Sequence, residues 1–210
     1  PCFSDTDDAL AAQAFDAKHE HAIDFDWDQV RQQGWMKLNV PAAPFENGGF
    51  PTPSGKCEFY SERMKQDGLD PLPTYIPPYE SVASAPGLAS QYPLAMISPP
   101  QRNFLNTTFV NVKSLRDTEG EPHLEMNPHD AATRNIADGD MARIFNARGS
   151  MLAKVHITEN ARLGLVVALS IWWKKLASDG KNANELTSQR LTDMGRAPTF
   201  YDLLVQVEKA

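Results

Sequence analysis

Residues 92–111 read YPLAMISPPQRNFLNTTFVN, and the rest of the chain can be read outward from them. The apolar run PLAMI has the length of a short buried strand. Ser98-Pro99-Pro100 ends it, because proline has no N–H for a ladder and its ring restricts the residue before it. Between 98 and 108 come Ser98, Gln101, Asn103, Asn106, Thr107 and Thr108, all neutral side chains that donate and accept, with Arg102 as the only charge. Apolar character returns at Phe109 and Val110. A strand that empties into such a loop places donors at the rim of a sheet or barrel, where polar ligands with many oxygens are held. Amides suit the edges of heterocycles; hydroxyls and exposed backbone N–H groups suit phosphate oxygens. The same composition also describes a solvated turn fixed by its two prolines, so the loop alone leaves both readings open.

Downstream the pattern is strand-rich. Alternation predicts strands over 123–126 and 150–158, turn-bounded runs predict strands over 141–146 and, wholly apolar, over 165–169, and a last strand is predicted over 201–207. In 150–158, Ala153, Val155 and Ile157 alternate against Leu152, Lys154 and His156. The turns between them are Asp138-Gly139-Asp140, Ala147-Arg148-Gly149 and Arg162-Leu163-Gly164. Asn127-Pro128-His129-Asp130 predicts a helix start, with Asn127 as cap, Pro128 in first position and Asp130 in the first turn, running to about residue 135. Short strands, tight turns and one or two short helices predict a mainly β fold, a closed or nearly closed barrel. A doubly wound α/β sheet would need longer crossover helices.

Upstream the texture differs. Ser4-Asp5-Thr6-Asp7 has the form of a capping box, predicting a helix over 8–15, and a second helix is predicted over 27–33 with Gly34 as its left-handed end. Neither has an apolar face wide enough to fold alone, so both read as an arm that packs on other structure. VPAAPFENGG at 40–49 marks a linker, a turn follows to Lys56, and 57–60 alternates enough to predict a short strand. Pro71, Pro73, Pro77 and Pro78, with Tyr75 and Tyr79 among them, predict an extended segment to about residue 93, neither central strand nor helix. The expected division is an arm at 1–50, a Pro-rich connector at 51–92 and a barrel at 93–210.

A net charge of −7 makes general attraction to nucleic acid or an anionic bilayer unfavourable, so a phosphate-bearing ligand would need local donors. No apolar run approaches the roughly 18 residues of a membrane span, and the chain is read as soluble. Cys2 and Cys57 are the only cysteines, which excludes an internal four-cysteine iron–sulfur site, argues against a zinc ribbon and leaves a disulfide open. Residue 1 is Pro with no leader pattern after it, which reads as a segment of a longer polypeptide. Cytoplasm and periplasm are both open, because any leader peptide would lie upstream.

A second candidate constellation is IWWKK at 171–175 followed by NANELT at 182–187. Trp172 and Trp173, directly after a strand, would set an aromatic plane at a barrel mouth, with Asn184 and Thr187 nearby; paired tryptophans also close cores. His19-Glu20-His21 could clip a metal, but a helix would place its imidazoles on different faces. The acidic run Asp24-Phe25-Asp26-Trp27-Asp28 lacks the glycine and distal glutamate of a calcium loop. With no GxSxG, no P-loop and no Cys–His pair placed for a nucleophile, no self-contained catalytic centre is expected.

Taken in order, TPSGKCEFYSE at 52–62, PPY at 77–79, the run from Tyr92, EMNPHDAATRNIADGDMARIFNARGS at 125–150 and the tail NELTSQRLTDMGRAPTFYDLLVQVE resemble the C-terminal molybdopterin-guanine-dinucleotide-binding region of the DMSO reductase family. The resemblance implies a six-stranded double-psi β-barrel, aspartate decarboxylase-like, that closes over pyranopterin dinucleotides held mainly by other domains. It implies that the loop after the first strand touches the cofactor through Ser98, Pro99, Pro100, Asn103, Phe104, Asn106 and Thr107, and that Trp172 or Trp173 and Asn184 touch it from later loops. Some members place a lysine near the last strand; here that neighbourhood reads Thr199-Phe200-Tyr201-Asp202.

The resemblance further implies molybdenum or tungsten in the full-length enzyme, an iron–sulfur cluster in a missing N-terminal domain, and a metal ligand outside this segment. Its partners would be the preceding catalytic domains and an electron-transfer subunit. The segment alone would bind and orient rather than turn over substrate. The competing reading is a double-psi barrel that grips a protein partner without cofactor. A small decarboxylase on a related barrel is a third reading, against which the long acidic arm argues.

Overall fold

The computed structural model describes residues 4–14 and 25–210. Two compact units divide the chain after Pro73. Expectations placed on Cys2, Phe15, the His19-Glu20-His21 triplet and Asp24 lie outside the described residues.

The first unit carries helices α1 (Asp7–Gln13), α2 (Trp27–Gln33) and α3 (Glu62–Gln66). None of its described residues is buried. α2 matches its sequence signals: the Asp26 carboxylate accepts from the N–H groups of Asp28 and Gln29, and Gly34 ends the helix at φ 78°. α1 starts one residue early, because the Thr6 hydroxyl, not Ser4, is the cap, accepting from Ala9 N–H at 3.2 Å. The strand expected over 57–60 is absent. Local bonds hold a turn instead: Thr52 Oγ1 donates to Lys56 O at 2.6 Å, and Glu58 Oε1 accepts from Ser54 N–H at 2.9 Å. An alternating tetrapeptide without a ladder partner has no reason to stay extended.

The second unit, Thr74–Ala210, is the barrel. Its strands are β1 (Leu94–Ile97), β2 (His123–Met126), β3 (Met141–Phe145), β4 (Ser150–Ile157), β5 (Leu165–Ala168) and β6 (Leu204–Lys209). They close in the order β1-β5-β2-β4-β3-β6. The pairs β1:β5 and β2:β4 are parallel and the other four junctions antiparallel. This is the six-stranded double-psi arrangement. Alternation sends one face of each strand inward, Leu94 and Met96 from β1, Leu124 and Met126 from β2, Ala153 and Val155 from β4, all buried. Each large apolar side chain so buried contributes about 1.5–3 kcal/mol.

Helix α4 (Pro86–Ala89) corrects the expectation that the Pro-rich segment leading to about residue 93 contains no helix. Pro86 occupies the first helical position, where its missing N–H costs nothing. Helix α5 (Lys113–Glu119) follows the polar loop and carried no sequence expectation. Helix α6 (Pro128–Ala132) is capped as expected, Asn127 Oδ1 accepting from His129 N–H at 3.0 Å, but it stops before residue 135, where Asn135 turns left-handed at φ 54°. β6 begins at Leu204 rather than 201 because Asp202 N–H closes a turn on Thr199 O at 3.0 Å. Among the described residues no helix is long and apolar enough to cross a membrane.

Candidate functional site

β1 and β5 run parallel with Ile97 opposite Val167, so the chain leaves both strands at the same end of the barrel. The two exits are bonded together. Ser170 N–H donates to Pro99 O at 2.8 Å, and Ser170 Oγ accepts from Gln101 N–H at 2.7 Å. Farther out, Trp173 Nε1–H donates to Thr107 O at 2.8 Å.

A second small core sits beneath this junction. Phe104 and Trp172, 5% and 3% exposed, meet edge to face with ring centroids 5.3 Å apart, packed with Val110 and flanked by Leu115 and Leu176. Asn103 is tied down as well: its backbone and side-chain N–H groups both donate to Glu119 Oε1 at 2.7 Å, anchoring the loop to α5. Pro99 is half-buried and Pro100 exposed. The tip is a tight turn, in which Leu105 and Thr108 exchange backbone hydrogen bonds and Asn106 adopts φ 54°, a conformation asparagine tolerates. Asn106 and Thr107 are both exposed there.

Asn184 arrives from a separate turn. Buried Asn182 donates through Nδ2 to Trp172 O at 2.8 Å and accepts at Oδ1 from Asn184 N–H at 3.2 Å. The Lys174 ammonium bonds to the Glu185 carboxylate, and that hydrogen bond and its charge hold the Glu185 carboxyl below its usual range. Behind the turn passes Gly149, so close that a Cβ there would stand 2.9 Å from Glu185 O.

These pieces surround one cavity of about 340 Å³, lined by Ser98, Asn106, Ile171, Asn184, Thr187, Ser188, Pro198, Phe200 and Tyr201. It therefore brings together four of the residues singled out from sequence: Ser98, Asn106, Asn184 and Thr187. Phe104, Trp172 and Asn103 stand behind the loop instead, while Trp173 and Thr107 bond to one another. Sequence reasoning did not assign Ile171, Ser188, Pro198, Phe200 or Tyr201 to the site. Ser188 directly follows the N-x-L-T motif, so extending that motif would have found it; only the fold brings Phe200 and Tyr201 across. No lining side chain is charged. Among the described residues, the exposed side-chain amides of Asn106 and Asn184 bond to no other residue, and no cluster of three or more His, Cys, Asp or Glu could hold a metal.

A family model described as "Molydopterin dinucleotide binding domain" matches residues 94–204, from the first residue of β1 to the first of β6. The chain belongs to this family. The chain is 37% identical over 208 residues to the Bacillus subtilis protein named "Probable oxidoreductase YoaE", covering 98% of this chain and 29% of that one. It is 35% identical over 173 residues to "Dimethyl sulfoxide reductase DmsA" of Escherichia coli, covering 75% and 21%. The fold matches that of acetylene hydratase from Pelobacter acetylenicus with a TM-score of 0.71 at 22% identity, covering 90% of this chain and 28% of that one. The chain thus spans less than a third of the length of these relatives.

The cavity suits such a cofactor. Its volume falls in the range of about 300–1,000 Å³ typical of ligand sites. Neutral amides and hydroxyls match the polar edge of a heterocycle and the oxygens of a pyrophosphate without requiring a cation. The two unpaired amides are a donor–acceptor set that the fold itself leaves unused.

Proposed function

We propose that this molybdopterin-binding domain holds the guanine nucleotide end of a molybdopterin guanine dinucleotide within a larger molybdenum or tungsten oxidoreductase. The observation that carries the reading is the convergence of Asn106 and Asn184, both unpaired, on one uncharged cavity at the exit of two parallel strands. Asn106 and Asn184 read heterocycle edges. Ser98 and Thr107, with the backbone N–H groups of Asn106 and Thr107, hydrogen-bond phosphate oxygens. Phe104, Trp172 and Trp173 act from behind, with Pro99, Pro100 and Asn103, by holding the loop at the cavity.

The bound group supplies the metal-centred redox chemistry. The chain's own part is to bind and orient, and to bias the electronics of the group through hydrogen bonds at its periphery. The metal-ligating residue and any iron–sulfur cluster belong to other parts of the enzyme, as does the surface that receives an electron-transfer subunit.

Acid release of nucleotide from the purified holoprotein, with metal analysis of the same sample, tests the assignment. Guanine nucleotide accompanied by molybdenum or tungsten is expected. A cytosine nucleotide, or a pterin without nucleotide, would overturn it.

A further inference from the structure

Ser170 is not among the cavity-lining residues, yet it stands where both loops leave the barrel. It is 5% exposed and adopts φ 63°, a left-handed conformation that costs any residue with a Cβ. In that conformation its N–H faces Pro99 O and its hydroxyl faces Gln101 N–H, at 2.8 and 2.7 Å. Glycine would take the backbone angle without strain but would bring no hydroxyl, whereas alanine would have the strain and still no hydroxyl.

The setting is closed. The Gln101 side chain is buried, and neither its amide atoms nor the Trp172 indole N–H finds a partner among the described residues. A backbone N–H that loses its acceptor in such a place does not regain it from bulk water. The Gln101 N–H therefore depends on the Ser170 hydroxyl.

We infer that Ser170 is the positioning residue of this site, clasping the loop after β1 to the loop after β5 so that Asn106 and Asn184 face one cavity. The inference rests on the cofactor reading of that cavity. Ser170 touches no ligand in this scheme; it acts through Pro99 and Gln101 on the loop that carries Asn106, and through the chain it begins on the turn that carries Asn184. The strained angle is retained because it presents the hydroxyl to Gln101.

The test uses the cofactor-loaded protein and its cofactor-free form, with Ser170→Gly, Ser170→Ala, Asn106→Gly and, as a control, Val155→Ala in the barrel core. Ser170→Gly is expected to speed cofactor release about tenfold, the loss of one buried hydrogen bond. In the cofactor-free form it is expected to speed amide exchange across 99–108 and 170–173 about as much. Val155→Ala, a purely structural lesion, is expected to lower thermal stability without changing release relative to stability. Should Ser170→Gly fail to fold, the Ser170→Ala comparison carries the same expectation.

Release and loop exchange at wild-type levels in the Ser170 variants would overturn the inference, as would a release no faster than that of a Val155→Ala protein of equal stability. If Asn106→Gly leaves cofactor bound as in the wild type while Ser170→Gly loosens both loops, the cofactor reading fails and the clasp stands. If Asn106→Gly releases cofactor and Ser170→Gly does not, the reading stands and the clasp fails.

Discussion

The indole N–H of Trp173 and the carbonyl oxygen of Thr107, 66 residues apart in sequence, are joined by a 2.8 Å hydrogen bond across the mouth of the barrel. It ties the tip of the first loop to the second. Trp173→Phe keeps the ring and deletes the donor. At this exposed position a loss of about 0.5–1 kcal/mol is expected, with faster amide exchange at 105–108 and little change in the barrel strands. Exchange followed by mass spectrometry checks it, and equal protection in both proteins would remove the link's role.

Phe104→Ala should act more strongly. Phe104 is buried against Trp172 in the small core under the loop, and such truncations cost about 3–5 kcal/mol. The expected outcome is a loop that opens while the barrel still unfolds cooperatively, seen as a large drop in loop protection with a smaller drop in the urea midpoint.

Gly149→Ala would push on the turn that presents Asn184. A Cβ at 149 meets Glu185 O at 2.9 Å and Glu185 Cβ at 3.3 Å, and backbone cannot yield as a side-chain tip would. A destabilisation of about 1–3 kcal/mol is expected, together with weaker cofactor retention. A variant that keeps both unchanged would show that the turn is free to shift.

Acid sensitivity follows from Asp140. The hydrogen bond from Lys209, at 2.7 Å, and that from Ala137 N–H hold its carboxyl below the ordinary carboxylate range. A carboxyl lowered in the folded state contributes stability that is fully present above its unfolded pKa and is lost as pH falls through the folded value. The wild type is therefore expected to weaken on acidification within and below the carboxylate range, and Asp140→Asn to show a flatter decline. Urea titrations across pH 3 to pH 7, about the span in which carboxylates titrate, check the slope.

β4 was legible because one face of it is buried, and burial writes itself as alternation, Ala153, Val155 and Ile157 against Leu152, Lys154 and His156, whereas β5, with Val166, Val167 and Ala168 all buried, was legible as an apolar run. The caps at Asn127 and Gly34 were legible because their chemistry is local. Partner-dependent features were not. Residues 57–60 alternate like a strand but have no neighbour to pair with. Phe104 and Trp172 look alike in sequence whether they face a ligand or each other, and only the fold turns them inward. Ser170 reaches the site through the parallel pairing of β1 with β5, and Phe200 and Tyr201 through the antiparallel pairing of β6 with β1, and no local pattern encodes either pairing.

The most direct test of the account removes the two unpaired amides and leaves the backbone alone. Asn106→Gly keeps the left-handed turn, and Asn184→Ala lies in an exposed turn, so the double variant should unfold within about 0.5 kcal/mol of the wild type. Guanine nucleotide is then quantified per polypeptide in the purified full-length proteins. A large loss of nucleotide in a protein of unchanged stability is predicted; full nucleotide occupancy in the double variant would contradict the claim that this cavity holds the cofactor.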